Sequence, residues 1–384
     1  MTASCDAVVV GLGAAGAAAA MEMARRGGRV VGLDAFRPPH DRGSHHGQTR
    51  SIRRAYLEGT AYVPMAVRAW ALWRKLEADV GKTLLVSTPN LTIGPDDAPA
   101  VSGFFASAKT YRIPFEALTA ADVRRRWPQL NPPGSFAAGL ELEAGILFPE
   151  RCIAAMLSEA ENAGADLHFE ERAVGWEEKP HHVAVTTETG RYEAGRLLLA
   201  AGARNKALLG EAGRFLSPKR VPVHWVAPPD GRPFSLGTYP VNFWQVPKSE
   251  GRGASEYAEF YSLPAVGETG RVKAAMHNGL ADCDPDAIPR EVNPTERETI
   301  AALLEAYLPA LAGGDMESRL CLYTLTPDGD FILGSVPGHD RVFTAALAGH
   351  GFKFAPVLGE MLADMLQGRP PAFDTAMFSP GRFG

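Results

Sequence analysis

The sequence predicts an α/β protein in two parts: a Rossmann-like domain, and a second domain built on a mostly antiparallel β-sheet. Three observations carry this. Within the first 34 residues a β-branched apolar run, an alanine-rich helix and a second apolar run form one βαβ unit around Gly11-Leu-Gly13-Ala-Ala-Gly16. Far along the chain, Arg196–Ala201 (Arg-Leu-Leu-Leu-Ala-Ala) reads as another buried strand, running into Gly202-Ala203. Between Leu216 and Glu268 the chain turns to Pro, Trp and Tyr in short runs, the habit of antiparallel sheet. At 384 residues it has the length for two or three domains of ~150 residues.

Each element has a local reason. Ala7–Gly11 (Ala-Val-Val-Val-Gly) is a buried strand by its β-branched run. Ala14 to Arg26 is a helix with a cationic last turn, stopped by Gly27-Gly28. Arg29–Leu33 is the second strand, ending on Asp34. Tyr62–Val80 and Phe148–Ala160 have amphipathic helical spacing, the latter with Pro149 at its start. Val183–Thr187 and Arg191–Tyr192 flank Glu188-Thr189-Gly190 as a hairpin. Pro247–Ser255 reads as the most loop-like and mobile segment of the chain. Thr295–Leu308 is a helix with Thr295 as N-cap and Glu298 closing a capping box. Val342–Leu347 is a strand and Phe352–Gln367 a helix.

Composition excludes several classes. Apolar residues at 46% and charged residues at 22% are ordinary globular usage, not that of a disordered chain. A net charge of −5 without a basic block gives no nucleic-acid footprint. Cys5, Cys152, Cys283 and Cys321 lie far apart without a CxxC pair, so a reducing cytoplasm is expected rather than a disulfide framework or zinc site. The apolar start lacks a basic leader, and no run approaches the ~20 residues of a membrane span. Neither His45-His46, His181-His182 nor Asp282, Asp284 and Asp286 has metal-ligand company, and the last group reads as a polar loop.

The glycine turn sits after a strand and opens a helix, where its chemistry requires it. Gly11 permits the tight turn, Gly13 admits a pyrophosphate to the backbone, and Gly16 lets helix and strand pack closely. The helix N-terminus offers free N–H groups to phosphate, and Asp34 is placed for a ribose hydroxyl. A dinucleotide is expected; this unit alone does not choose between FAD and NAD.

After Asp34 come Gly43-Ser44-His45-His46-Gly47-Gln48-Thr49-Arg50-Ser51-Ile52-Arg53-Arg54-Ala55-Tyr56 and, near the other end, Ser318-Arg-Leu-Cys321-Leu-Tyr323-Thr324 and Gly349-His350-Gly351-Phe352-Lys353-Phe354. With Tyr62-Val63-Pro64, Arg126-Trp127-Pro128 and Asp330-Phe331-Ile332, these segments span nearly the whole chain. They resemble the monomeric sarcosine oxidase and N-methyltryptophan oxidase family, FAD enzymes of the D-amino-acid oxidase class. The resemblance makes the dinucleotide FAD. It implies a thioether from Cys321 to the flavin 8α-methyl carbon, where the residues alone read as a buried core cysteine. Arg50 matches an arginine over one flavin face, with Ser44, His46 and Thr49 nearby. Gly349 and Gly351, before the helix that opens at Phe352, would aim backbone N–H groups at the flavin C2 carbonyl. Gln48 departs from the family's Asp.

On the substrate side, Arg53 and Lys353 match the pair that clamps a carboxylate: a planar fork and a point charge. Tyr261 and Tyr323 match tyrosines at the substrate, His277 a histidine beside its amine, and Lys273 a lysine that promotes reaction with oxygen. By spacing alone Lys273 and His277 read as exposed strand positions sharing a face with Arg271. Phe243 replaces a methionine, Arg204 replaces a tryptophan, Trp225 and Trp244 add bulk, and Pro247–Tyr261 is longer than usual, so the side-chain pocket reads as remodelled.

The expectation is therefore a cytoplasmic, monomeric FAD oxidase of a secondary (N-methyl or cyclic) amino acid, with oxygen as second substrate and neither membrane nor nucleic acid as partner. The FAD domain would be assembled from residues 1–85, 146–215 and 320–384, and the substrate domain from 86–145 and 216–319. Two rivals are a dehydrogenase or imine-forming biosynthetic enzyme using another acceptor, against which Lys273 stands, and a flavoprotein without catalysis, against which the whole clamp stands.

Overall fold

The computed structural model describes residues 4–248, 256–267 and 270–384. The βαβ unit forms as the apolar runs require. Strand Ser4–Val10 lies parallel to Val30–Asp34 on one side and to Arg191–Leu199 on the other. Being covered on both faces, it is almost continuously buried. The sheet continues in the order Ala173–Glu178, Val183–Thr187, Arg191–Leu199, Ser4–Val10, Val30–Asp34, Asp166–Phe169, with Val342–Ala346 joined to Arg191–Leu199 and Ile332–Ser335 joined to Val342–Ala346. The hairpin and the buried strand expected separately near residues 191–201 are one strand, because Arg191–Leu199 is long enough to pair both Val183–Thr187 and Ser4–Val10.

Helix Ala14–Arg25 packs against helices Pro149–Asn162 and Ala355–Leu366. Its alanines allow a tight crossing: a Cβ on Gly359 would lie 2.7 Å from the Ala18 carbonyl oxygen. The C-terminal helix begins as a 3-10 turn over Phe352–Phe354 and is regular only from Ala355. The spacing that predicted one helix from Phe352 does not distinguish these, since both turns bury similar faces.

The second sheet runs Met316–Leu325, Ser217–Val226, Val272–Met276, Tyr257–Leu263, Val241–Pro247, Asn90–Pro95, Phe136–Glu141, Phe115–Thr119. It is antiparallel except at one junction, where Val241–Pro247 lies parallel to Asn90–Pro95. Strand alternation gives it two faces. Trp244 and Phe260 stack at 5.7 Å on the face that meets helix Pro294–Tyr307, while their neighbours Phe243 and Tyr261 point the other way, into a cleft. That helix is capped two residues earlier than expected. Asn293, not Thr295, accepts from the Glu296 amide at 2.9 Å, and the Glu296 carboxylate accepts from the Asn293 amide at 2.9 Å. Asn is the stronger cap and Pro294 is then free to take the first helical position. Of the loop expected over Pro247–Ser255, residues 249–255 lie outside the described residues. Among the described residues no helix is long and apolar enough to cross a membrane.

Candidate active site

A cleft of about 410 Å³ runs from the carboxyl ends of the parallel strands to the inner face of the second sheet. Its first end is the glycine turn. Gly11 has φ 90°, and a Cβ there would lie 2.5 Å from Ala201 Cα. A Cβ on Gly16 would overlap the Gly11 carbonyl oxygen at 1.8 Å, so helix and strand touch only through glycine. No side chain caps the N-terminus at Gly13, which leaves first-turn N–H groups available to an anion. Asp34 lines the cleft and accepts from the Leu12 amide at 2.8 Å and the Phe36 amide at 2.9 Å. It braces the turn, and its carboxylate retains acceptor capacity for a hydroxyl.

The stretch around Asp286, expected to be a plain polar loop, reaches across this end. Asp286 accepts from Arg172 at 2.5 Å and from Arg204 at 2.7 Å, and Arg204 also lies over the Phe36 ring at 5.1 Å.

At the middle of the cleft, residues 43–50 fold around Arg50. Its guanidinium donates to the carbonyls of Ser44 (2.8 Å), His46 (2.7 Å) and Thr49 (2.8 Å), and approaches Cys321 Sγ at 3.8 Å. Lys273 is 2% exposed, so the exposed-strand reading does not hold: its ammonium donates to the carbonyls of Gly47 at 2.8 Å and Thr49 at 2.7 Å. His277, half-buried, stands between the rings of Phe243 (5.5 Å) and Tyr323 (6.0 Å). Both face inward because the strand alternates into the cleft and the loop covers it. Burial pushes the Cys321 thiol up, but His46, Arg50 and Lys273 outweigh it and bring the thiol down to about 6. Burial, reinforced by Arg50, holds Lys273 well below the usual lysine range.

At the inner end Arg53 and Lys353 meet across one tyrosine. Arg53 lies 5.5 Å and Lys353 5.1 Å from the Tyr56 ring, and Arg53 is also 5.5 Å from the Phe243 ring. Lys353 donates to the His350 carbonyl at 2.7 Å. Burial and Arg53 push Lys353 down to about 7, partly opposed by Glu58. Burial takes His277 to about 4, so its imidazole is neutral at pH 7. Gly349 has φ 79°, and a Cβ there would strike the Tyr323 ring at 2.6 Å. Gly349, Gly351 and Phe352 line the cleft beside Lys353.

Three carboxylates around these cations were not singled out from the sequence. Glu58 pairs with Arg53 at 3.1 Å; burial raises its carboxyl, but Arg53, His350 and Lys353 hold it well below the usual range. Fully buried Glu141 accepts from the amides of Arg54 and Ala55 at 2.9 and 3.0 Å. Glu150 accepts from those of Gly47 and Gln48 at 2.7 and 3.0 Å. Glu58 is only five residues from Arg53 and could have been weighed as its partner. Glu141 and Glu150 carry no local signal, being 87 and 103 residues from the backbone they hold.

The cleft fits FAD. It joins a pyrophosphate-type turn to a cationic chamber, and two buried polar atoms beside that chamber, His46 Nε2 and Thr49 Oγ1, have no hydrogen-bond partner among the described residues. Fold and site together define a flavin-dependent oxidoreductase. Residues 6–365 match the family model for FAD dependent oxidoreductases (DAO), and the chain belongs to that family. It is 35% identical to a monomeric sarcosine oxidase of Streptomyces avermitilis, over 100% of this chain and 98% of the relative. It is 34% identical to an N-methyl-L-tryptophan oxidase of Citrobacter koseri, over 98% and 99%. Among solved structures, NikD, described as an unusual amino acid oxidase essential for nikkomycin biosynthesis, has the same fold: TM-score 0.85, 24% identity, 99% of this chain and 98% of that one. The chain is an enzyme of this class, acting on CH–NH bonds.

Proposed function

We propose that the protein oxidises a secondary amino acid, N-methyl or cyclic, to an imine that water splits to amine and aldehyde, with oxygen reduced to hydrogen peroxide. The observation that carries this reading is the meeting of Arg53 and Lys353 at the Tyr56 ring, inside a cleft that otherwise suits a flavin. Two cations so placed match one carboxylate. When bound, FAD supplies the acceptor for a hydride from the carbon beside the nitrogen and returns the electrons to oxygen.

The chain's own residues do the rest. Arg53 and Lys353 hold the carboxylate, and Glu58 gives up Arg53 as the carboxylate arrives. Neutral His277 stands beside the amine, and Phe243, Tyr261 and Tyr323 wall the pocket and keep water out. An amine that enters unprotonated needs no general base. Arg50 and Lys273 place positive charge where electrons leave for oxygen. The turn from Gly11 to Gly16 and Asp34 would hold the ADP half of FAD. Ser44, His46, Thr49, Arg50 and the segment Gly349–Lys353 would hold the ring. Cys321, with a thiol depressed to about 6, would hold the ring through a thioether, the thiol and the 8α-methyl each giving up one hydrogen and oxygen taking both as hydrogen peroxide. The FAD domain is then residues 1–85, 146–215 and 320–384, and the substrate domain 86–145 and 216–319. Four unpaired cysteines favour a cytoplasmic setting.

An oxygen-electrode screen of sarcosine, N-methyltryptophan, proline, pipecolate and larger N-methyl amino acids tests the reading. Oxygen uptake with peroxide formed one for one is expected with at least one of them. Reduction of the flavin by such a substrate, with reoxidation by a dye but not by oxygen, would make the protein a dehydrogenase instead.

A further inference from the structure

Gly47, Gln48 and Thr49 form a tight turn in which the Thr49 amide donates to the Gly47 carbonyl at 2.8 Å. Gln48 sits in it at φ 66°, a left-handed conformation unfavourable for a side-chain-bearing residue. Such a turn persists only when its surroundings over-determine it. Two side chains hold it, one at its amides and one at its carbonyls. The Glu150 carboxylate accepts from the Gly47 and Gln48 amides, and the Lys273 ammonium donates to the Gly47 and Thr49 carbonyls. Glu150 is itself rigidly based, in the first turn of helix Pro149–Asn162, where the helix dipole favours a negative charge. An ammonium has three donors, and two of those on Lys273 are fixed by the turn, which leaves one for the cleft that the residue lines.

We infer that Glu150 is a positioning residue for Lys273: it holds the turn whose carbonyls fix the ammonium, and it is that ammonium's counter-charge. This deepens the proposed function and rests on Lys273 serving the reaction with oxygen. The groups around Lys273 sort by sign. Arg50 opposes its charge, while Glu150 favours it, as does Cys321 only as the free thiolate, a charge the thioether removes. The phenols of Tyr261 and Tyr323 are kept neutral by burial, and the strand neighbours Trp225 and Leu263 are uncharged. Loss of Glu150 therefore loosens the turn and also makes Lys273 easier to deprotonate.

The test uses the FAD-loaded enzyme reduced with dithionite and mixed with oxygenated buffer, so that substrate identity does not enter. Glu150→Leu should slow reoxidation by ~10-fold or more, and in a Lys273→Met background it should slow it no further. Glu150→Gln keeps an acceptor oxygen but not the charge, so reoxidation should remain fast at low pH and decline at a lower pH than in the parent. Hydrogen exchange, a readout independent of turnover, should accelerate in the peptide spanning 43–52 for Glu150→Leu and not for Glu150→Gln. Parental reoxidation in Glu150→Leu beside a slow Lys273→Met overturns the inference alone, as does full additivity in the double variant. Parental reoxidation in Lys273→Met overturns the role of Lys273 and this inference with it. Should Glu150→Leu fail to retain FAD, an unmoved pH profile in Glu150→Gln overturns the inference.

Discussion

Cys321 lies on the edge strand Met316–Leu325 of the second sheet, opposite Val221, with Arg50 3.8 Å away. A thiol lowered to about 6 is largely thiolate at neutral pH, the form that attacks carbon. Acid precipitation of the parent should therefore leave the yellow chromophore with the protein, and Cys321→Ala should release it to the supernatant. Release from the parent would remove the thioether. At the clamp, Arg53→Met or Lys353→Met should weaken an acetate-type inhibitor by about 10- to 100-fold, since a charge-assisted bond is worth about 1.5–3 kcal/mol. Neutral amines of the same shape should be much less affected, and the double variant should be less than additive. Lys353 is protonated below about 7 and loses its charge above it. Carboxylate affinity should accordingly fall as pH rises through that value, and Lys353→Met should flatten this dependence. A parent whose inhibitor affinity is level from pH 6 to 9 would take Lys353 out of the clamp.

At the scale of elements, two features set boundaries that can be measured. The cap of helix Pro294–Tyr307 is Asn293, so Asn293→Ala should cost about 1 kcal/mol of unfolding free energy. Thr295→Ala should cost little, and the reverse ranking would restore Thr295 as the cap. The clasp of Asp286 with Arg172 and Arg204 spans the end of the cleft near Phe36. These side chains are partly exposed, and such pairs are worth up to about 1 kcal/mol, a factor of about 5. In a Cys321→Ala background, Asp286→Asn should speed FAD loss by up to that factor, and added salt should erase the difference. Equal rates at low salt would show that the clasp does not retain the cofactor.

For the molecule as a whole, the cleft is walled by both large sheets, so a ligand filling it ties them together. Stability should follow cofactor by mass action. Freed of the thioether, the Cys321→Ala protein should gain about 2.7 kcal/mol at FAD concentrations 100 times its Kd. Calorimetry should then show one transition that moves up with FAD. Two transitions, only one of which moves, would mean that the sheets melt independently and that FAD binds one of them.

What the sequence determined by itself was whatever is written in neighbouring residues. Gly11, Gly13 and Gly16 follow a β-branched run and open an alanine-rich helix, and the three-dimensional turn tolerates no Cβ at the first or last of them. The segments from Ser44 to Arg53 and from Gly349 to Lys353 were legible as site segments because their residues are contiguous and distinctive, and the cleft brings them together. The inward direction of Lys273 and His277 was not legible in their spacing, since strand alternation gives two faces and does not say which is covered. The parallel pairing of Val241–Pro247 with Asn90–Pro95 joins segments that no local pattern links. The same holds for Glu141, Glu150 and Asp286, whereas Glu58 stands only five residues from its partner Arg53. A carboxylate beside a loop in sequence reads as solvated surface, and only the folded chain decides which cation or backbone amide it meets. Local periodicity selects elements, but the choice of a partner about a hundred residues away is made by packing.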